Sequence, residues 1–199
     1  MKIIVIGATG VIGAAVSRAL AKRHEVIAVS RHGDPSVDIE KPATIPALFA
    51  RVAKPDAVVV CAGSGAFKPL MELTDQDLAY SIGSKLMGQV NVIREAFKHL
   101  SDRGSVTVTT GVLAHSPTPG TAALAMINCG LEGFVRGAAV DAPRGLRVNA
   151  ISPPWMTETL LALKMDTAQG IPADDAAKAY VAAVEGTYQG QTLDCRRFL

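Results

Sequence analysis

The stretch Gly7-Ala8-Thr9-Gly10-Val11-Ile12-Gly13 decides how this chain folds. It follows the apolar run Ile3-Ile4-Val5-Ile6 and opens into an apolar-periodic segment through Val16 and Leu20. A buried strand, a glycine turn and a helix start form the arrangement that cradles a dinucleotide pyrophosphate. Glycines allow a tight turn and close backbone approach to phosphate, while the helix amino end offers unpaired N–H donors. The alternative is a turn that only packs a helix on a strand. The position directly after the first apolar run favours the phosphate cradle.

Working outward, Glu25-Val26-Ile27-Ala28-Val29 reads as a second strand, which closes a βαβ unit of about thirty residues. Ser30-Arg31 then falls at its carboxyl end, roughly twenty residues past the glycines. An acid there would bind a ribose 2′-hydroxyl, whereas an arginine accommodates a 2′-phosphate. The expected cofactor is therefore NADP(H), with NAD(H) second and a merely solvated Arg31 as the alternative. Val37-Asp38-Ile39 reads as a short third strand whose crossover helix is pared away. A helical pattern runs from Pro42 through Val52, and Asp56 to Val60 is a buried strand ending in Cys61-Ala62-Gly63. Thr74-Asp75-Gln76-Asp77 caps a helix predicted to reach His99. A strand follows over 104–110, a helix over 121–140, a strand over 146–151, a helix over 174–185 and a short strand over 191–194. The alternation predicts one α/β domain spanning 1–199, a doubly wound parallel sheet with helices on both faces.

Composition agrees with that architecture. Hydrophobic residues make up 49% but aromatics only 5%, which suits a sheet core of Val, Ile, Leu and Ala. A net charge of +2 gives no electrostatic footprint for nucleic acid. Cys61, Cys129 and Cys195 have no metal-ligand spacing, so no metal is expected and buried free thiols are. No apolar stretch reads as spanning a bilayer, and no leader precedes the first strand, so a cytoplasmic location without membrane contact is expected.

Several further motifs converge. Lys85-Leu86-Met87-Gly88, Gly104-Ser105-Val106 with Thr109-Thr110, Leu131-Glu132-Gly133-Phe134-Val135-Arg136 and Arg147-Val148-Asn149-Ala150-Ile151-Ser152-Pro153 stand at intervals along the chain. With the glycine loop, Asp38-Ile39 and Cys61-Ala62-Gly63, they resemble the short-chain dehydrogenase/reductase family over almost the full length. The resemblance implies that Asp38 and Ile39 flank the adenine, that Ala62 and Gly63 line the adenosine side, and that Pro153 through Thr157 cover the nicotinamide. Trp155 and Met156 belong to that cover, although Trp155 serves equally well as plain packing. The family commonly has Pro-Gly where this chain has Pro153-Pro154, and the second proline removes an N–H donor.

The family's catalytic set is a Tyr-x-x-x-Lys pair, a serine and an asparagine. Registered on the flanking motifs, Leu124 stands at the tyrosine position, Asn128 at the lysine position and Gly111 at the serine position. Lys85 stands where asparagine is usual. Lysine and asparagine have thus changed places, which implies that one ammonium and one carboxamide remain in the site. Lys85 is the expected positive charge and proton donor, Asn128 its orienting partner, and Thr110 a candidate hydroxyl donor to the substrate oxygen. The implied activity is hydride transfer with a small carbonyl or alcohol. A dinucleotide-binding protein without turnover is the second reading, and a sugar or nucleotide substrate with other donors the third. His115-Ser116-Pro117 reads as a loop turn, and Glu158 as a substrate contact or a helix cap. The helix pair 74–99 and 121–140 resembles the family's oligomer surfaces, so a dimer or tetramer is expected.

Overall fold

The computed structural model describes residues 1–199. Its centre is β1 (Lys2–Ile6), where Ile3 through Ile6 are at most 1% exposed. Burying each such side chain contributes roughly 1.5–3 kcal/mol, so the apolar run must be covered on both sides. α1 (Val11–Ala21) follows, then β2 (Glu25–Val29), α2 (Thr44–Arg51) and β3 (Ala57–Val60). α3 (Asp75–Ser81) and α4 (Gly88–His99) are joined by a single π-helical segment, Ile82–Met87. β4 (Ser105–Thr109), α5 (Ala122–Val140), β5 (Arg147–Ser152), α6 (Thr157–Ala162), α7 (Ala173–Glu185) and β6 (Thr192–Asp194) complete the chain.

All six strands pair in parallel in the order β2-β1-β3-β4-β5-β6. Strand order reverses beside β1, the position where doubly wound sheets open a crevice at their carboxyl ends. One face carries a core with Ile45, Phe49, Ile93, Leu131 and Val135 from α2, α4 and α5. The other is covered by α1 and α7, with Val16, Leu20, Tyr180 and Val184. The doubly wound sheet expected from the sequence is what forms.

Four local expectations are corrected. Val37-Asp38-Ile39 is not a strand: only an isolated bridge links Ser30 to Ser36. Val37 and Ile39 are instead 3% and 5% exposed plugs beneath the sheet edge, so their alternation reports burial without a ladder. The helix expected from Thr74 to His99 is broken by the π segment. Its cap does form, because Thr74 Oγ1 accepts from the Asp77 N–H and an Asp77 oxygen accepts from the Thr74 N–H. α5 is long and apolar enough to cross a membrane by length and composition alone, contrary to the reading of the sequence. It docks on the sheet through Ile127, Leu131 and Val135 and carries the buried Glu132. Of the three thiols Cys195 is buried and Cys61 half-buried, but Cys129 is exposed.

Candidate active site

The turn between β1 and α1 separates the jobs of its three glycines. Gly7 has φ +83°, and a Cβ there would meet the Cys61 carbonyl oxygen at 2.7 Å. A Cβ on Gly13 would lie 2.1 Å from the Gly7 oxygen, so this residue exists to let helix and strand touch. A Cβ on Gly10 would meet only the Gly7 oxygen at 3.4 Å, leaving its outer side open to a ligand. α1 has no side-chain cap and no acid in its first turn. The N–H groups of Val11, Ile12 and Gly13 find no partner in the chain, so the positive end of the helix faces outward unneutralised.

That end opens on a trough of about 320 Å³ lined by Gly7, Thr9, Gly10, Ser30, Arg31, Asp38 and Ile39. Arg31 forms no ion pair, whereas nearby Asp34 is taken up by Arg51 at 2.5 Å. Asp38 is held from both sides: its N–H donates to Thr44 Oγ1 and its Oδ1 accepts from the Glu40 N–H. Cys61, Ala62 and Gly63, just beyond the end of β3, line this trough and also a second cleft of about 250 Å³. The second cleft contains Ile12, Lys85, Thr110, Asn128, Pro153, Trp155 and Met156. Val11, Gly13 and Thr157 line neither: Gly13 packs, and the Thr157 N–H is spent on the Ile171 carbonyl.

Lys85 reaches the cleft because of its backbone. It sits in the π segment, closed by the Gly88 N–H donating to the Gly83 carbonyl. Such one-turn irregularities re-aim side chains and are frequent at functional sites. Gly63, with φ +116°, lies so close that a Cβ would be 2.8 Å from Lys85 Cα. Ser84 Oγ accepts from the Ser64 N–H, and Ser81 Oγ from the Ala66 N–H, which ties the loop after β3 to this segment. Buried Gln89 exchanges two hydrogen bonds with the Thr109 backbone, 2.9 and 2.8 Å, and fixes the segment against β4. Lys85 Nζ donates to the Thr110 carbonyl at 3.0 Å. Burial without a neutralising carboxylate pushes its ammonium down to about 8.

The partners of the remaining residues differ from expectation. Asn128 does not orient Lys85; the Thr110 carbonyl does. The Thr110 hydroxyl, expected to face the substrate, turns instead into α5, to the Asn128 carbonyl at 3.2 Å and Glu132 Oε1 at 3.1 Å. Glu132 is 2% exposed, and its other oxygen meets His115 Nε2 at 2.6 Å. His115 therefore pins the loop after β4, as a turn residue would, and lies outside the cleft. Glu158 accepts the Ala173 N–H at 3.0 Å and caps α7. Trp155 stands in the cleft wall, edge-on to Phe67 at 6.1 Å. Tyr80 lines the trough and not the Lys85 cleft. Gln89, Glu132, Ser81 and Ser84 were missed, since they act through contacts that no spacing in the sequence reveals.

The two hollows form a path from the helix amino end and a free guanidinium to a half-buried ammonium. The open side of Gly10, the unpaired N–H groups and the uncommitted Arg31 fit a dinucleotide with a phosphorylated ribose. The chain is similar to several known proteins. A family model described as enoyl-(acyl carrier protein) reductase matches residues 7–187. The crystal structure of the protein lin1944 from Listeria innocua superposes with a TM-score of 0.94 at 38% identity, covering 98% of both chains. A small-chain dehydrogenase in complex with NADPH has a TM-score of 0.85 at 24% identity, covering 98% of this chain and 95% of that one, and shares the fold. Among curated proteins, the hydroxynaphthalene reductase arp2 of Aspergillus fumigatus is 36% identical over 49% of this chain and 36% of its own length. The tetrahydroxynaphthalene reductase PfmaG of Pestalotiopsis fici is 29% identical over 94% of this chain and 66% of its own length. The chain thus spans about a third to two thirds of the length of these curated relatives.

Proposed function

The chain belongs to the short-chain dehydrogenase/reductase family, and on that premise we propose that it is an NADP(H)-dependent oxidoreductase acting on a small carbonyl or alcohol. The observation that carries the reading is Lys85: one half-buried ammonium, held by the Thr110 carbonyl, in a cleft continuous with the glycine turn. The nicotinamide, when bound, would supply or accept the hydride. Lys85 holds the proton at Nζ and passes it to the carbonyl oxygen as negative charge develops there. Reduction thus adds one hydride to carbon and one proton to oxygen, and leaves Lys85 as the neutral amine, still anchored to Thr110. Leu124, Leu113, Val112 and Trp155 supply an apolar wall that excludes water from that transfer.

Arg31 is the residue proposed to choose the phosphorylated dinucleotide. Replacing it with Ala should weaken NADPH about tenfold or more and leave NADH within about twofold, because only NADPH offers a 2′-phosphate for a bidentate guanidinium. Cofactor fluorescence titrations with both dinucleotides measure this. Equal losses for the two would contradict the assignment. The NADPH complex of the small-chain dehydrogenase and the reductase names of the curated relatives support the reading by likeness.

Binding without turnover is a second reading, favoured by the Thr110 hydroxyl turning away and by leucine at position 124. Hydride exchange between NADPH and a panel of aldehydes and ketones separates the two. Measurable exchange supports the oxidoreductase, and tight NADPH binding with no exchange supports the second reading. Self-association through α4 and α5 also belongs to the proposal, and sedimentation gives the stoichiometry.

A further inference from the structure

We propose that the Asn128 carboxamide is the second hydrogen-bond donor to the substrate oxygen, standing in the space that a serine at position 111 would need. This rests on the oxidoreductase reading and deepens it. Asn128 is 2% exposed, and its Oδ1 is sealed from solvent with no hydrogen-bond partner. Nδ2 also bonds to nothing in the chain, but it is not sealed, so it is the polar atom that Asn128 presents to the cleft. Leaving a buried carbonyl unpaired costs roughly 1–3 kcal/mol. The side chain carries that cost in the orientation that turns its NH₂ toward the cleft.

Gly111 supplies the second, independent observation. Its backbone is extended, φ 170° and ψ 153°, a conformation open to any residue. Glycine is therefore not required by the backbone. A Cβ there would approach Asn128 Nδ2 to 3.1 Å, tighter than ordinary contact, and a hydroxyl beyond it would compete with the amide for the same place. Positions 111 and 128 are a matched pair: a side-chain donor comes from one or from the other. With the Thr110 hydroxyl bound to Glu132 and position 124 apolar, Nδ2 and the Lys85 ammonium are the two donors that converge on a carbonyl oxygen.

The test uses Asn128→Ala, Asn128→Asp, Gly111→Ser and the Gly111→Ser/Asn128→Ala double variant, each checked by thermal melting. The probes are cyclohexanone and methylenecyclohexane, which share a shape but differ in the oxygen acceptor. Trp155, the one tryptophan, reports binding through its fluorescence. The wild type should prefer the ketone. Asn128→Ala and Asn128→Asp should each reduce that preference about threefold to tenfold, while the double variant should recover it. Gly111→Ser alone should lower the melting temperature, and Asn128→Ala should relieve it. An unchanged preference in both Asn128 variants, or strictly additive effects in the double variant, would overturn the proposal. Failure of the oxidoreductase reading would register separately, as no hydride exchange by the wild type between NADPH and any aldehyde or ketone of the panel.

Discussion

Lys85→Met should lower turnover about a thousandfold, within the range that a positioned acid contributes, while NADPH affinity stays within about twofold. Lys85 is the only cation on the cleft wall, and the glycine turn and Arg31 lie in the other hollow. Methionine keeps the length and apolar stem of the side chain but has no proton to give. The variant should fold, because it removes a desolvated charge and loses one hydrogen bond, to the Thr110 carbonyl. Steady-state reduction and a cofactor titration on the same preparation check both halves. A variant that retains more than about a tenth of the wild-type rate would assign the proton to another group.

Gly13→Ala is the second large effect, and it is one of folding. The added Cβ would sit 2.1 Å from the Gly7 oxygen and 2.7 Å from its carbonyl carbon. Both are backbone atoms of the turn itself and cannot swing aside. Either α1 lifts from β1 or the turn opens, and each exposes part of the face that Val16 and Leu20 bury. A cost of about 3 kcal/mol or more is expected, lowering the melting temperature by roughly 6–12 °C in a chain of this size. Gly10→Ala is the control. Its Cβ meets nothing closer than 3.4 Å, so stability should change by about 1 kcal/mol or less, while NADPH binding weakens because the methyl stands where the phosphates approach. If both variants melted alike, the division of labour within the turn would be wrong.

What could be read from the sequence was local. Ile3–Ile6, the glycine turn and the Thr74–Asp77 cap each carry their signal within a few residues, and each forms as expected. Val37 and Ile39 misled because alternation reports which side chains are buried, not whether a neighbouring strand is there to pair with. The site was legible as a set of positions but not as a set of contacts. Lys85, Asn128 and Thr110 do converge at the cleft. Their partners depend on a π turn, on the close approach of Gly63 to Lys85 and on a buried glutamate that draws the Thr110 hydroxyl away. Those are meetings between residues far apart in the chain, to which helical or strand periodicity is blind. Gly111 looked like a lost serine in the sequence, whereas in the fold it is the neighbour of an amide.

The central claim is that Lys85 carries the proton, and the pH dependence of the rate tests it most directly. The one other titratable group on the cleft wall is the Cys61 thiol, which burial pushes up to about 12. A single ionisation therefore falls in the working range, that of Lys85 near 8. Reduction needs the ammonium, so kcat/KM for the carbonyl should be level at low pH and fall about tenfold per unit above about 8, while kcat/KM for alcohol oxidation, which needs the neutral amine, rises to a plateau over the same interval. In Lys85→Met both limbs should vanish from whatever rate remains. A wild-type rate that stays flat from about pH 6 to about pH 10, or a limb near 8 that survives in Lys85→Met, would contradict the account.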